Sequence, residues 1–211
     1  MFCYFTFIWT MFYQKTMQNR HFLFITLLTL LSTIFVVSSA NADQNKSSED
    51  KNNKKILIVY YSRTGNTDFI AKQIHEQIGG DVIKLETVEP YPEQYRATTI
   101  QARKELEADF RPALKNQIDN IADYDLVFIG SPNWWGTMSM PIRTFLYSYD
   151  LSGKTIALFI THEGSGLGRC MDDLKKFIPN ATILDGIAIR GGSVQNSQKQ
   201  IQEWLTNIDI R

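Results

Sequence analysis

The stretch Ile56-Leu57-Ile58-Val59-Tyr60-Tyr61-Ser62-Arg63-Thr64-Gly65-Asn66-Thr67 sets the fold. Its first six residues are apolar and mostly β-branched or aromatic, which suits a strand buried on both faces in the interior of a parallel sheet. The run then gives way to hydroxyls, an amide and a glycine. Helical periodicity follows: Phe69, Ile70, Ile74 and Ile78 fall on one face, with Gly79-Gly80 as a C-terminal stop. A buried strand, a polar turn and an amphipathic helix open a strand–helix–strand unit.

The same alternation continues downstream. Leu126-Val127-Phe128-Ile129 and Ile156-Ala157-Leu158-Phe159-Ile160 read as two more buried strands. Val82-Ile83-Lys84-Leu85 has the polar admixture of an edge strand. Thr182-Ile183-Leu184 and Ile187-Ala188-Ile189 make a fifth strand, broken at Asp185-Gly186. Leu174, Phe177 and Ile178 lie on one helical face ended by Pro179, and Ile201, Trp204, Leu205 and Ile208 define a last helix. The segment Glu93–Leu114 is expected to be helical but has the poorest pattern. No Asn-Gly or Asp-Gly hairpin joins neighbouring runs, and each gap is long enough for a crossover. The expected class is α/β: a doubly wound, five-stranded parallel sheet with right-handed crossovers.

The chain has 211 residues, 44% of them hydrophobic, with 22 basic and 22 acidic side chains. A formal charge of zero argues against binding nucleic acid by phosphate neutralisation. Moderate hydrophobicity excludes a wholly disordered chain and a polytopic membrane protein. The charge is unevenly spread. Residues 1–42 hold two basic residues, Lys15 and Arg20, and no acidic one. Within them Phe22 to Val37 is uncharged, and Ser38-Ser39-Ala40-Asn41-Ala42 follows, the pattern of a secretory signal peptide cleaved after Ala42. Met17 is then the natural start, with residues 1–16 a possible over-extended gene start. The alternative is an uncleaved membrane anchor. Residues 43–54 are a polar tether, and residues 55–211 form the domain. The mature chain keeps one cysteine, Cys170, and so no internal disulfide.

Three loops after strands carry the chemistry. Ser62-Arg63-Thr64-Gly65-Asn66-Thr67 places hydroxyls and a glycine where helix-terminal N–H groups suit a phosphate dianion. Gly65 lets the backbone approach closely, and Thr67 can cap the helix as well as bind. The loop is neither a Walker loop nor a Gly-x-Gly-x-x-Gly fingerprint, and a plain capped turn is the competing reading. The second loop, Ser131–Pro141, holds Pro132, Asn133, Trp134, Trp135, Gly136 and Thr137. Tandem tryptophans suit stacking on a planar ligand, although one of them is expected to pack onto the helix near Pro141. The third, Thr161–Gly168, holds His162, Glu163, Gly164, Ser165 and Gly166 and offers backbone donors for a heterocycle edge. Its spacing disfavours a nucleophile elbow, and a metal role for the His-Glu pair lacks a second nearby His or Cys. A plain loop histidine remains open for His162.

Ser62-x-Thr64-Gly65-Asn66-Thr67, followed in order by Pro132-Asn133-Trp134-Trp135-Gly136 and Thr161–Gly168, resembles the flavodoxin family over about residues 55–207. The resemblance implies a flavodoxin-like fold with strand order 2-1-3-4-5 and noncovalent FMN. By that likeness Ser62 to Thr67 hold the phosphate and Trp134 or Trp135 flanks the ring. Gly136 and its neighbours supply the carbonyl that meets reduced N5, and His162 to Gly166 line the pyrimidine side. Typical flavodoxins are strongly acidic, whereas residues 43–211 carry 20 basic and 22 acidic side chains. Two functions stay open: an FMN electron carrier, and an FMN-dependent NAD(P)H:quinone or nitro reductase in which His162 assists. A flavin-less binding domain is a third. The expected partner is a redox protein or a small quinone-type acceptor, with no nucleic acid and, after signal cleavage, no membrane. The expected site is the periplasm or the extracellular space.

Overall fold

The computed structural model describes residues 54–210. The expected export segment, residues 1–42, and all of the expected tether except Lys54 lie outside the described residues, as does Arg211.

Strand β1 (Ile56–Tyr60) runs into helix α1 (Asn66–Ile78), then β2 (Asp81–Lys84) and α2 (Tyr95–Glu107). A short 3-10 turn at Ile121–Asp123 leads to β3 (Leu126–Trp134), β4 (Thr137–Met138) and α3 (Met140–Ser148). Then come β5 (Thr155–His162), α4 (Cys170–Phe177), β6 (Thr182–Ile183), β7 (Ile187–Arg190) and α5 (Gln198–Asn207). The order across the sheet is β2-β1-β3-β5, with β6 and β7 pairing successive parts of the far edge of β5. All these pairings are parallel. Counting β6 and β7 as one interrupted strand gives the expected 2-1-3-4-5, and the interruption falls at Asp185-Gly186, where the apolar run breaks.

The strand period of two sorts the core into two layers. Leu57, Val59 and Tyr61 face one side, packed with Ile142, Phe145 and Leu146 of α3 and Cys170 and Leu174 of α4. Ile58 and Tyr60 face the other, packed with Ile70 and Ile74 of α1 and Ile201, Trp204 and Leu205 of α5. Leu57, Ile58 and Val59 have no exposed surface. At about 1.5–3 kcal/mol for each fully buried aliphatic side chain, this short strand anchors both layers. β2 is the opposite case: at the sheet edge Asp81, Val82 and Lys84 are exposed, as its polar admixture requires.

One element departs from the sequence reading. Residues 131–141 form less of a loop than expected, because β3 continues through Pro132 to Trp134 and turns back on itself as β4. Asn133 pairs with Met138 and Trp134 with Thr137, leaving Trp135-Gly136 as a two-residue hairpin turn. Both turn residues have positive φ, 56° and 82°. That is the requirement of a type I′ turn, which Asn or Gly usually meets in its first position. Trp135 carries the strain there, so the hairpin has no ordinary sequence signal.

Candidate functional site

β1 and β3 are adjacent while their crossovers leave on opposite faces, so the sheet has its topological switch point between their C-terminal ends. A cavity of about 690 Å³ opens there. Its lining includes Arg63, Thr64, Asn66 and Thr67 after β1, and Pro132 through Gly136 at the β3 hairpin. His162, Glu163, Gly164 and Ser165 close it after β5. The three motif-bearing segments thus meet around one space of ordinary ligand-site size.

At one end lies the start of α1. The first intrahelical bond is Phe69 N–H to the Gly65 carbonyl at 2.9 Å, so the amides of Asn66, Thr67 and Asp68 have no intrahelical acceptor. Gly65, not Thr67, is the residue at the helix cap. Thr67 is buried inside the first turn, where its Oγ1 lies 2.8 Å from Thr161 Oγ1. The capping role expected for Thr67 is therefore replaced by a tie between β5 and α1. Ser62 Oγ accepts from the Gly65 N–H at 3.1 Å and shapes the turn from outside the cavity lining. Arg63 donates to the Glu93 carbonyl at 3.0 Å, which holds its cation at this end.

The tryptophans divide their roles. Trp134 is half-buried and meets Tyr61 and Tyr91 edge-on, with ring centroids 5.7 and 4.8 Å away. Tyr91 donates to the buried carboxylate of Glu105, which also accepts from Gln101 Nε2 at 2.8 Å. Burial pushes the Tyr61 phenol up to about 12 and raises Tyr91 further, with Glu105 adding to both. Trp135 is 49% exposed, with Nε1 donating to the Thr99 carbonyl at 3.0 Å and the Arg103 guanidinium 5.1 Å from its ring centre. Of the two indoles, that of Trp135 is the more exposed.

Asn133 staples the second and third loops: its Oδ1 accepts from Gly136 N–H and its Nδ2 donates to the Gly166 carbonyl, both at 2.9 Å. The Gly136 carbonyl accepts from Arg169 N–H at 2.8 Å. Gly168 has φ of 53°, and a Cβ there would lie 2.5 Å from that carbonyl oxygen. The hairpin tip thus rests directly on bare backbone. Both polar groups of Gly136 are engaged, so of the carbonyl expected from Gly136 and its neighbours, that of Gly136 itself is already taken by Arg169. Gly65 and Gly166 shape their loops without lining the cavity, and Thr137 is buried with its hydroxyl donating to Asp173 at 2.6 Å.

His162, at the end of β5, lines the cavity, and its Nδ1 is buried without a hydrogen-bond partner. A buried ring nitrogen left unpaired is costly unless a ligand completes it. The sequence reading missed the floor supplied by α2, where Tyr95, Thr98, Thr99 and Ala102 also line the cavity. Small polar residues on a weakly patterned helix give no motif, and only the packing of α2 beside the hairpin brings them in.

A doubly wound α/β domain with an anion-ready helix start, an indole wall and a glycine-bearing loop around one switch-point cavity defines a nucleotide-type cofactor binder. The flavodoxin family model matches residues 55–208, and the chain belongs to that family. A candidate flavoprotein from Bacteroides eggerthii is 32% identical, with a TM-score of 0.67 over 75% of this chain and all of its own. A Lactobacillus acidophilus flavoprotein solved in complex with FMN is 26% identical, with a TM-score of 0.58 over 72% of this chain and 98% of its own. An Archaeoglobus fulgidus NAD(P)H dehydrogenase (quinone) is 29% identical over 122 residues, 52% of this chain and 62% of that protein. The match thus spans less than two thirds of that curated relative.

Proposed function

We propose that the protein is an FMN-binding electron-transfer flavoprotein, whose FMN phosphate sits at the start of α1 and whose flavin ring lies against Trp135. The observation that carries this reading is the convergence of three strand-end segments on one cavity, with free helix-start amides at one end and the indole at the other. The donor set suits the group. A phosphate needs N–H and hydroxyl donors, supplied by Thr64, Asn66 and Thr67, with the fixed positive charge of Arg63 beside them. The planar ring needs an aromatic wall, which Trp135 offers, and donors for its heteroatom edge, which the His162–Ser165 segment along the cavity would offer.

FMN, when bound, supplies the electron transfer, and the protein binds it, orients it and tunes its surroundings. Trp135 excludes water from one face. The Trp135-Gly136 turn would lie beside the ring. The His162–Ser165 segment, which lines the cavity after β5, would face the pyrimidine edge.

The acceptor is a redox partner protein or a small quinone-type molecule, and the place of action is outside the cytoplasm, as residues 1–42 direct. A second reading, an NAD(P)H:quinone or nitro reductase, is favoured by the name of the Archaeoglobus relative and by a cavity open beside an exposed indole. Addition of NADPH to the FMN-loaded protein without oxygen separates the two. A carrier keeps its oxidised flavin absorption, whereas rapid bleaching assigns the reductase.

A further inference from the structure

Beside the flavin cavity, on the far side of Trp135, lies a second concavity of about 480 Å³, reached from the same hairpin tip. Four arginines line it: Arg103 from α2, Arg111 from the loop after α2, Arg143 from α3 and Arg169 at the start of α4. Three carboxylates serve them. Glu107 pairs with Arg103 at 2.6 Å and Asp173 with Arg169 at 3.1 Å. Asp109 is shared, 2.7 Å from Arg111 and 3.5 Å from Arg143. One positive charge is left over, and the long contact puts the shortfall on Arg143, whose side chain is only 15% exposed. The Nε atoms of Arg111 and Arg143 are buried and have no hydrogen-bond partner. Aromatic rings complete the lining: Trp135 under Arg103, and Phe177 with the Arg143 guanidinium 4.9 Å from its centre. Surplus guanidinium charge among flat rings suits a planar aromatic molecule carrying an anionic group, since arginine binds carboxylate, sulfonate or phosphate oxygens while its planar face stacks.

We infer that this groove is a binding site for a planar aromatic anion, held by its acidic group on the Arg143 side and with its ring against Trp135 at the mouth of the flavin cavity. The inference deepens the flavoprotein reading by naming a substrate class, a carboxylated or sulfonated quinone or nitroarene. The binding itself is measured without flavin.

The test uses the full chain, free of FMN, in equilibrium dialysis against anthraquinone-2-sulfonate and against neutral 2-(hydroxymethyl)anthraquinone. Wild-type protein is expected to bind the sulfonate at least about tenfold more tightly, the range of a charge-assisted hydrogen bond. Arg103→Gln combined with Arg143→Gln should bring the two probes within about twofold, while Lys199→Gln, at an exposed position of α5, should change nothing. Asp109→Asn, which removes the shared carboxylate, should tighten sulfonate binding several-fold, a gain that misfolding cannot imitate. Saturating FMN should leave the sulfonate affinity within about threefold, because the two linings have only Trp135 in common and the Arg143 side lies outside the flavin cavity. No preference in wild type, a preference that survives the double substitution, a failure of Asp109→Asn to tighten binding, or displacement of the probe by FMN would each overturn the inference. Failure of FMN to bind at all would count against the flavin reading and leave the sulfonate preference to be judged by itself.

Discussion

Gly168→Ala tests whether the hairpin tip and the loop after β5 form one preorganised wall. The substitution carries two separable costs. At φ of 53° an alanine sits in the left-handed region, which costs about 1–2 kcal/mol relative to glycine. Its Cβ would also stand 2.5 Å from the Gly136 carbonyl oxygen and 3.0 Å from Asn133 Nδ2. A backbone oxygen cannot rotate away, so the hairpin tip must move and the 2.8 Å bond from Arg169 N–H to Gly136 must lengthen. Losing that bond costs about 0.5–1.5 kcal/mol, and disturbing the Asn133 staple adds a similar amount. The total is about 2–5 kcal/mol. Gly166→Ala is the internal control: φ is 58°, but nothing lies within 4 Å of its added Cβ, so only the conformational cost applies. Urea unfolding of the FMN-free protein, followed by far-ultraviolet circular dichroism, should therefore place Gly168→Ala below Gly166→Ala by about 1–3 kcal/mol. FMN affinity should fall more in the former. Equal stabilities, within about 0.5 kcal/mol, would refute a wall held by direct backbone contact.

The two tryptophans should separate stability from binding. Trp134→Ala removes the ring that joins Tyr61 and Tyr91 and should cost about 2–4 kcal/mol in urea unfolding. Trp135→Ala should cost less than about 1 kcal/mol, because its indole is largely exposed, yet it should weaken FMN binding clearly in a fluorescence titration. Alkaline pH should destabilise the fold. Burial raises the Tyr61 phenol and the Cys170 thiol to about 12 from ordinary values of 10.0 and 9.0, and a hydrogen bond to Asp81 does the same for Tyr124. The protonated forms are favoured in the native state, so their contribution is complete below about pH 9 and is lost as pH rises toward 12. The urea midpoint should fall steadily between pH 9 and 11.5, and a flat profile would contradict the burial of these groups.

What the sequence disclosed follows from where each residue sits. β1, β3 and β5 are buried on both faces, so their composition alone reports them, and Gly79 and Pro179 punctuate their helices plainly. The phosphate-type loop was legible because a strand, a short hydroxyl-rich turn and a helix follow one another directly. The hairpin at Trp135-Gly136 was not, because a tryptophan with positive φ is held there by contacts remote in sequence, from Thr99 and Arg103. The same applies to Tyr91 and Glu105, whose pairing spans 14 residues and has no periodic signature. Thr67 looked like a cap by its spacing, and only the approach of Thr161 from β5 gives its hydroxyl a different partner. Long-range packing made these choices, and local pattern carries no record of them.

The placement of FMN with its phosphate at the start of α1 is tested most directly by titrating the FMN-free protein with FMN and with riboflavin, each followed by flavin fluorescence. The structure predicts one FMN bound per chain and riboflavin weaker by at least about tenfold, since riboflavin leaves the amides of Asn66, Thr67 and Asp68 without their anion. No binding of FMN, or equal affinity for the two flavins, would contradict it.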